Sequence, residues 1–186
     1  MHQRQAIREA VKAALVGTGP SYATSAGTRV YESRMAAWNR SELPAISVYT
    51  DSETVDVDAS RNTAPRELVR SMDLAIEAMV KATSSVDDAL DDLSAQIEKA
   101  MHADETFGDT CADSILSSVE MAISVEGREP VGLLRMVYAV TYYTHAPDAA
   151  DVTLDTFDKA NIRHNLGGSV HVNNEAVDNL TDINQE

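Results

Sequence analysis

Arg66-Glu67-Leu68-Val69-Arg70-Ser71-Met72-Asp73-Leu74-Ala75-Ile76-Glu77-Ala78-Met79-Val80-Lys81-Ala82 is the stretch whose reading decides the fold. Its composition suits a helix, but its spacing does not. Leu68, Met72, Leu74, Ile76, Ala78 and Val80 share one parity, broken by Arg70. Glu67, Ser71, Asp73, Glu77 and Lys81 occupy the other. Successive side chains of an extended chain point to opposite faces, so this alternation predicts a half-buried strand over 66–82. A strand this long bends, or projects beyond its sheet as one arm of a hairpin with residues 46–58. Its expected partner lies in Leu43-Pro44-Ala45-Ile46-Ser47-Val48-Tyr49-Thr50, a β-branched and aromatic run bounded by Pro44 and Asp51.

Working outward, Ile7, Ala10, Val11, Ala14 and Leu15 repeat at helical spacing, and Gly17 with Gly19-Pro20 ends that helix. Ser21 to Thr28 reads as a loop, Arg29 to Ser33 as a short strand. Met35 to Glu42 reads as a loop or a single helical turn carrying the only Trp, Trp38. Ser85 caps a second helix whose apolar face is Val86, Ala89, Leu90, Leu93, Ile97, Ala100 and Met101. Asp87, Asp88, Asp91 and Asp92 crowd its first two turns, where the helix dipole favours anions. Val119, Met121, Ile123 and Val125 alternate with polar residues, and Gly127-Arg128-Glu129-Pro130 turns the chain. Leu133 to Thr144, ending Tyr138-Ala139-Val140-Thr141-Tyr142-Tyr143-Thr144, is apolar on both parities near its end. That predicts a central strand covered on both faces. The expected class is α+β: a mixed or antiparallel sheet with a long hairpin, two main helices packed on it, and an extended C-terminal arm. The expected division is a domain over 1–144 and a polar extension over 145–186. In the extension Phe157 is the only aromatic residue. Leu154, Phe157 and Ile162 suggest a short helix there, Val170 and Val172 a strand. So polar a segment is either disordered or an arm that orders against a neighbouring subunit.

With 186 residues, 44% of them hydrophobic, the chain suits one domain with a real core. No apolar run approaches the roughly 18 residues of a membrane span. Met-His-Gln-Arg-Gln leads into a helix rather than a signal region. The single Cys111 has no internal disulfide partner and points to synthesis in a reducing compartment. The formal charge of −15 is uneven: residues 1–83 are neutral overall, and residues 84–186 carry all of it. Phosphate backbones are gripped by Lys and Arg, so this surface excludes tight DNA binding, although a negative wall suits a pore through which DNA slides.

Nothing in the chain spells out catalysis. Asp51, Glu53, Asp56 and Asp58 miss the calcium-loop spacing and lack its glycine. His2, His102, His145, His164 and His171 are scattered, and no phosphate loop, GxSxG or CxxC occurs. No metal, cofactor or enzymatic activity is expected. Interaction surfaces are the better reading. Trp38 beside Arg34 and Arg40 is the aromatic-plus-arginine grouping enriched at interface cores, or else Trp38 closes the core. Arg61, Arg66 and Arg70 fall in or beside the hairpin. They are expected to meet an acidic surface of an adjacent copy, with Asp87, Asp88, Asp91 and Asp92 among its candidates, in a head-to-tail contact that closes a ring.

The order of elements, with the strand sequences Leu43–Thr50 and Tyr138–Thr144, resembles the tail terminator (minor tail, or tail-completion) proteins of long-tailed bacteriophages, over roughly Ala6 to Thr144. That resemblance implies an α+β subunit of a hexameric ring that caps the tail tube, ends its polymerisation and presents a surface for head attachment. It implies self, tail tube protein, head–tail connector and, in contractile tails, sheath protein as partners. DNA passes only through the lumen, no membrane is involved, and the virion's neck-proximal tail end is the location. Two other classes stay open: a different head–tail connector or neck protein, and a soluble ligand-binding protein or enzyme.

Overall fold

The computed structural model describes residues 2–61, 63, 65–81, 85–124 and 130–145, and the backbone of 160–164 and 176–180. Its internal contacts divide the chain into two units, Met1–Ala146 and Pro147–Glu186. In the first, α1 (Gln3–Val16) is followed by a two-residue-per-strand ribbon, β1 (Gly17–Thr18) and β2 (Ser21–Tyr22). Then come β3 (Val30–Glu32), a 3-10 turn at Arg40–Glu42, β4 (Ala45–Arg61) and β5 (Glu67–Lys81). α2 (Val86–His102), β6 (Asp113–Ser124) and β7 (Val131–His145) complete the unit.

Five strands form one sheet in the order β3-β4-β5-β7-β6. β3 runs parallel to β4 and every other pair is antiparallel, so the sheet is mixed. Both helices pack on one face. Ile7, Val11 and Leu15 of α1 join Leu90, Leu93, Ile97 and Met101 of α2 over Ile46, Val48, Leu74, Ile76, Met136 and Tyr138. The helix starts are set by side chains: the His2 ring accepts from the Arg4 amide at 3.3 Å, and the Ser85 hydroxyl from the Asp88 amide at 3.2 Å. α1 stops at Gly17, whose φ of 72° and whose approach to Ala23, 2.8 Å from a notional Cβ, exclude a side chain.

Three expectations are corrected. β7 is an inner strand, but β5 is the middle one, and the chain covers β7 on one face only. Leu134, Met136, Tyr138, Val140 and Tyr142 are buried, whereas Leu133 and Tyr143 on the other face are exposed. Two-sided apolar character therefore did not mean two-sided cover by this chain. The β4–β5 hairpin does not project alone, because β7 accompanies β5 along its whole length, from Lys81↔Val131 to Glu67↔His145. What reaches past β6, whose pairing starts at Asp113↔Thr141, is a three-stranded corner. Third, Val119, Met121 and Ile123 sit opposite Met136, Leu134 and Gly132, on the core side as their parity predicts, yet all remain exposed. They lie on the sheet's last strand, outside the core that α2 builds with β5 and β7. The alternation specifies a face, not its cover.

In the second unit β8 (Ala160–His164) and β9 (Ala176–Leu180) form an antiparallel pair. Ile162, read as part of a short helix, is in β8. Leu154, Phe157, Val170 and Val172 lie outside the described residues, as does Val125. Among the described residues no helix is long and apolar enough to cross a membrane.

Candidate subunit interface

The loop before β4 is built around Arg34. Its guanidinium lies over the Tyr31 ring, 4.5 Å from the centroid, and donates to Glu42 at 2.8 Å and to the Ala36 carbonyl at 3.1 Å. Tyr49 donates its hydroxyl to the Arg34 carbonyl at 2.7 Å. The loop so pinned carries Trp38 onto a small second core of Leu43, Ala45 and Val131, with Tyr31 and Met79 alongside. Trp38 thus closes a core, and it also lines a cleft of about 570 Å³ on the face opposite the helices. Beside it Met35 is fully exposed at 99%. Arg40 stands in the 3-10 turn that follows. Of the three loop candidates, then, Arg34 is consumed in holding the loop, while Trp38 faces both core and cleft.

The hairpin arginines separate in the same way. Arg61, at the end of β4, and Arg66, just before β5, are exposed. Arg70 turns onto the helix face. It pairs with Glu53 and donates to the Thr144 hydroxyl at 2.8 Å. Glu53 also accepts from the Tyr142 hydroxyl at 2.6 Å and meets Arg4 of α1 at 3.4 Å. Its side chain is only 12% exposed. Burial pushes the Glu53 carboxyl up, but the hydrogen bonds from Tyr142 and Arg70 and the charges of Arg4 and Arg70 outweigh it and hold it below its ordinary value. Burial, the hydrogen bond to Glu53 and the Glu53 charge push Tyr142 up to about 12, against the opposing charges of Arg70 and Arg4. The cluster bolts α1 to the hairpin and to β7. Arg70's break in the alternation was its signal in the sequence: a lone cation on an apolar parity needs a carboxylate in an adjoining strand. On the opposite face Arg135 of β7 bridges Asp51 and Glu77, an arrangement no spacing announced.

Asp87, Asp88, Asp91 and Asp92 are all exposed along α2. They form a solvated acidic ridge, and among the described residues no group of three or more His, Cys, Asp or Glu is placed to hold a metal ion. Cys111 is buried, and burial pushes its thiol up to about 11, so it stays protonated and unreactive at neutral pH. Burial likewise pushes Tyr138 well above the ordinary tyrosine value.

A family profile described as "Phage minor tail protein U" matches residues 2–127. The chain belongs to that family. The match opens at the cap of α1 and takes in both helices and β6, ending before β7. No curated protein matches this minor tail protein. Among solved structures 31 chains match. One of them, from "Virion of native gene transfer agent (GTA) particle", is 15% identical over 73% of this chain and 94% of that chain, with a TM-score of 0.35. Membership makes the chain a structural component of a phage tail, located in the virion.

Proposed function

We propose that this tail protein is a terminator: six copies form a ring that caps the tail tube, ends its polymerisation and offers the surface to which the head attaches. Family membership over 2–127 carries this reading. The ring is made in the host cytoplasm and sits at the neck-proximal end of the tail. Tail tube protein lies on one side and the head–tail connector on the other, with sheath protein as a further neighbour if the tail contracts. Its action is geometric, without catalysis, cofactor or metal. Residues 1–144 build the ring, and 145–186 are a polar C-terminal extension or arm.

Charge placement supports ring closure. Arg61 and Arg66 stand at the end of the sheet where β5 begins beside His145. The acidic ridge starts at the other end, where Val86 and Leu90 of α2 rest on Gly132. Some 13 strand residues separate Gly132 from His145, roughly 40 Å at about 3.3 Å per residue. Patches of opposite sign at opposite ends cannot meet within one copy, and joined between copies they give a head-to-tail contact. The uneven charge of −15 serves a lumen through which DNA slides without sticking.

The test is the mass in solution by light scattering of the wild type and of Arg61→Glu/Arg66→Glu. The reading predicts six copies for the wild type, about 120 kDa from a 20.1 kDa chain, and single folded copies for the variant. A six-copy variant removes the arginine contact. A wild type of one-copy mass contradicts ring closure in free solution.

A further inference from the structure

Among the described residues, two strands of the five-stranded sheet have a long edge with no strand paired to it. One is β4 beyond Val48, where its pairing with β3 ends. The other is β6, the terminal strand. A free edge is a row of backbone donors and acceptors that templates another strand, and proteins blunt it with charges, bulges or proline. The β4 edge is blunted. Its pairing with β5 shifts register between Thr50 and Ser52 and again between Asp56 and Arg61. Asp51, Asp56 and Asp58 stud it, and the Asp56 carboxylate takes the amides of Asp58 and Ala59 at 3.0 and 2.9 Å.

Over its second half β6 carries little of this protection, a single charge at Glu120. Asp113–Ser124 contains no Lys, Arg or Pro. Its one bulge, between Leu116 and Ser118, is closed by the Ser117 hydroxyl donating to the Val137 carbonyl at 2.9 Å. From Ser118 to Ser124 the register runs unbroken. Along that run Val119, Met121 and Ile123 are 41%, 47% and 47% exposed on the core side, where one more strand would continue the apolar layer.

We propose that the free edge of β6 takes up, by strand addition, an extended segment of a different protein, with apolar side chains at alternate positions and Lys or Arg between them. The exposed row sets the apolar half of that chemistry. Charge sets the other half. The charged residues of β6 are Asp113 and Glu120, both anionic. Glu120 stands opposite Arg135, whose guanidinium is taken by Asp51 and Glu77, and among the described residues it makes no ion pair. A second copy fits poorly here. Its free β4 edge is acidic and would set carboxylates against Glu120, and its own β6 brings no cation. The inference stands whether or not six copies close a ring.

The test appends a strand of alternating valine and lysine to the C-terminus of the full chain through a Gly/Ser linker. A linker long enough to reach across the subunit presents the strand intramolecularly, at an effective concentration up to the order of millimolar, so weak pairing registers. The readout is amide hydrogen exchange of residues 118–124. Slowing by about tenfold or more with the valine–lysine strand, and none with a valine–glutamate strand of equal length, is expected. Met121→Asp, at a half-exposed position, is expected to abolish the slowing while leaving the exchange of β5 unchanged. No slowing, or equal slowing by both strands, overturns the proposal. Protection of these amides in the unappended protein that rises with its concentration assigns the edge to a second copy and overturns it too.

Discussion

Glu53 and Cys111 show how burial sets what single residues do in this chain. Glu53 is held charged by two arginines and Tyr142 in a nearly closed site. Removing one partner of such a group strands the others. Glu53→Ala is therefore expected to cost about 1–3 kcal/mol in a urea titration at neutral pH. Its pH dependence has a definite sign. The folded carboxyl lies below the ordinary 4.5, so its contribution is complete above that pH and is lost as pH falls through the folded value. As pH falls below the ordinary 4.5 and through the lower folded value, the wild type should lose more stability than Glu53→Gln, whose side chain does not titrate. Parallel pH profiles for the two would contradict the charged cluster. At Cys111, a buried thiol pushed up to about 11 should resist a thiol reagent at pH 8 until the protein is unfolded, whereas prompt labelling of the native protein would contradict its burial. Cys111 was legible beforehand as a lone thiol without a disulfide partner. Glu53 was not, because its role depends on Arg70, Tyr142 and Arg4, which the chain brings together from three other elements.

Elements were more legible than their surroundings. The alternation at 66–82 and the helical spacing of residues 7–15 and 86–101 correspond to β5, α1 and α2, because each is a local consequence of one buried face. Cover is a non-local property, which is why Val119, Met121 and Ile123 turned out exposed and β7 covered on one side. Gly132 is a further case. A Cβ there would lie 2.6 Å from a Val86 methyl carbon and 2.8 Å from Leu90 Cγ, so the absent side chain is what lets α2 seat on β7. Gly132→Ala is expected to cost about 1–3 kcal/mol through overpacking, read as a lower urea midpoint with an unchanged slope. The hairpin arginines give a paired comparison at the same scale. Arg70→Glu sets a second carboxylate against Glu53 and should destabilise by about 3 kcal/mol or more. Arg66→Glu, on an exposed site, should stay within about 0.5 kcal/mol of wild type. Equal effects from the two would mean that Arg70 is not held inside the subunit.

For the molecule as a whole, the legible part was the order of elements and the imbalance of charge, and the family match over 2–127 agrees with what that order suggested. Interface residues were less legible. Arg34 and Arg70 have the chemistry of contact residues but are occupied within the subunit, while Met35, fully exposed beside Trp38, carried no pattern to mark it. The central claim is that this tail protein closes the end of a tube. The measurement that tests it most directly is electron microscopy of purified tail tubes incubated with the protein, with class averages taken at the tube ends. The account predicts a six-fold ring with an open lumen on one end of each tube, and tubes so capped that no longer lengthen when tube subunits are added. Bare ends that keep growing in the presence of excess folded protein would contradict it.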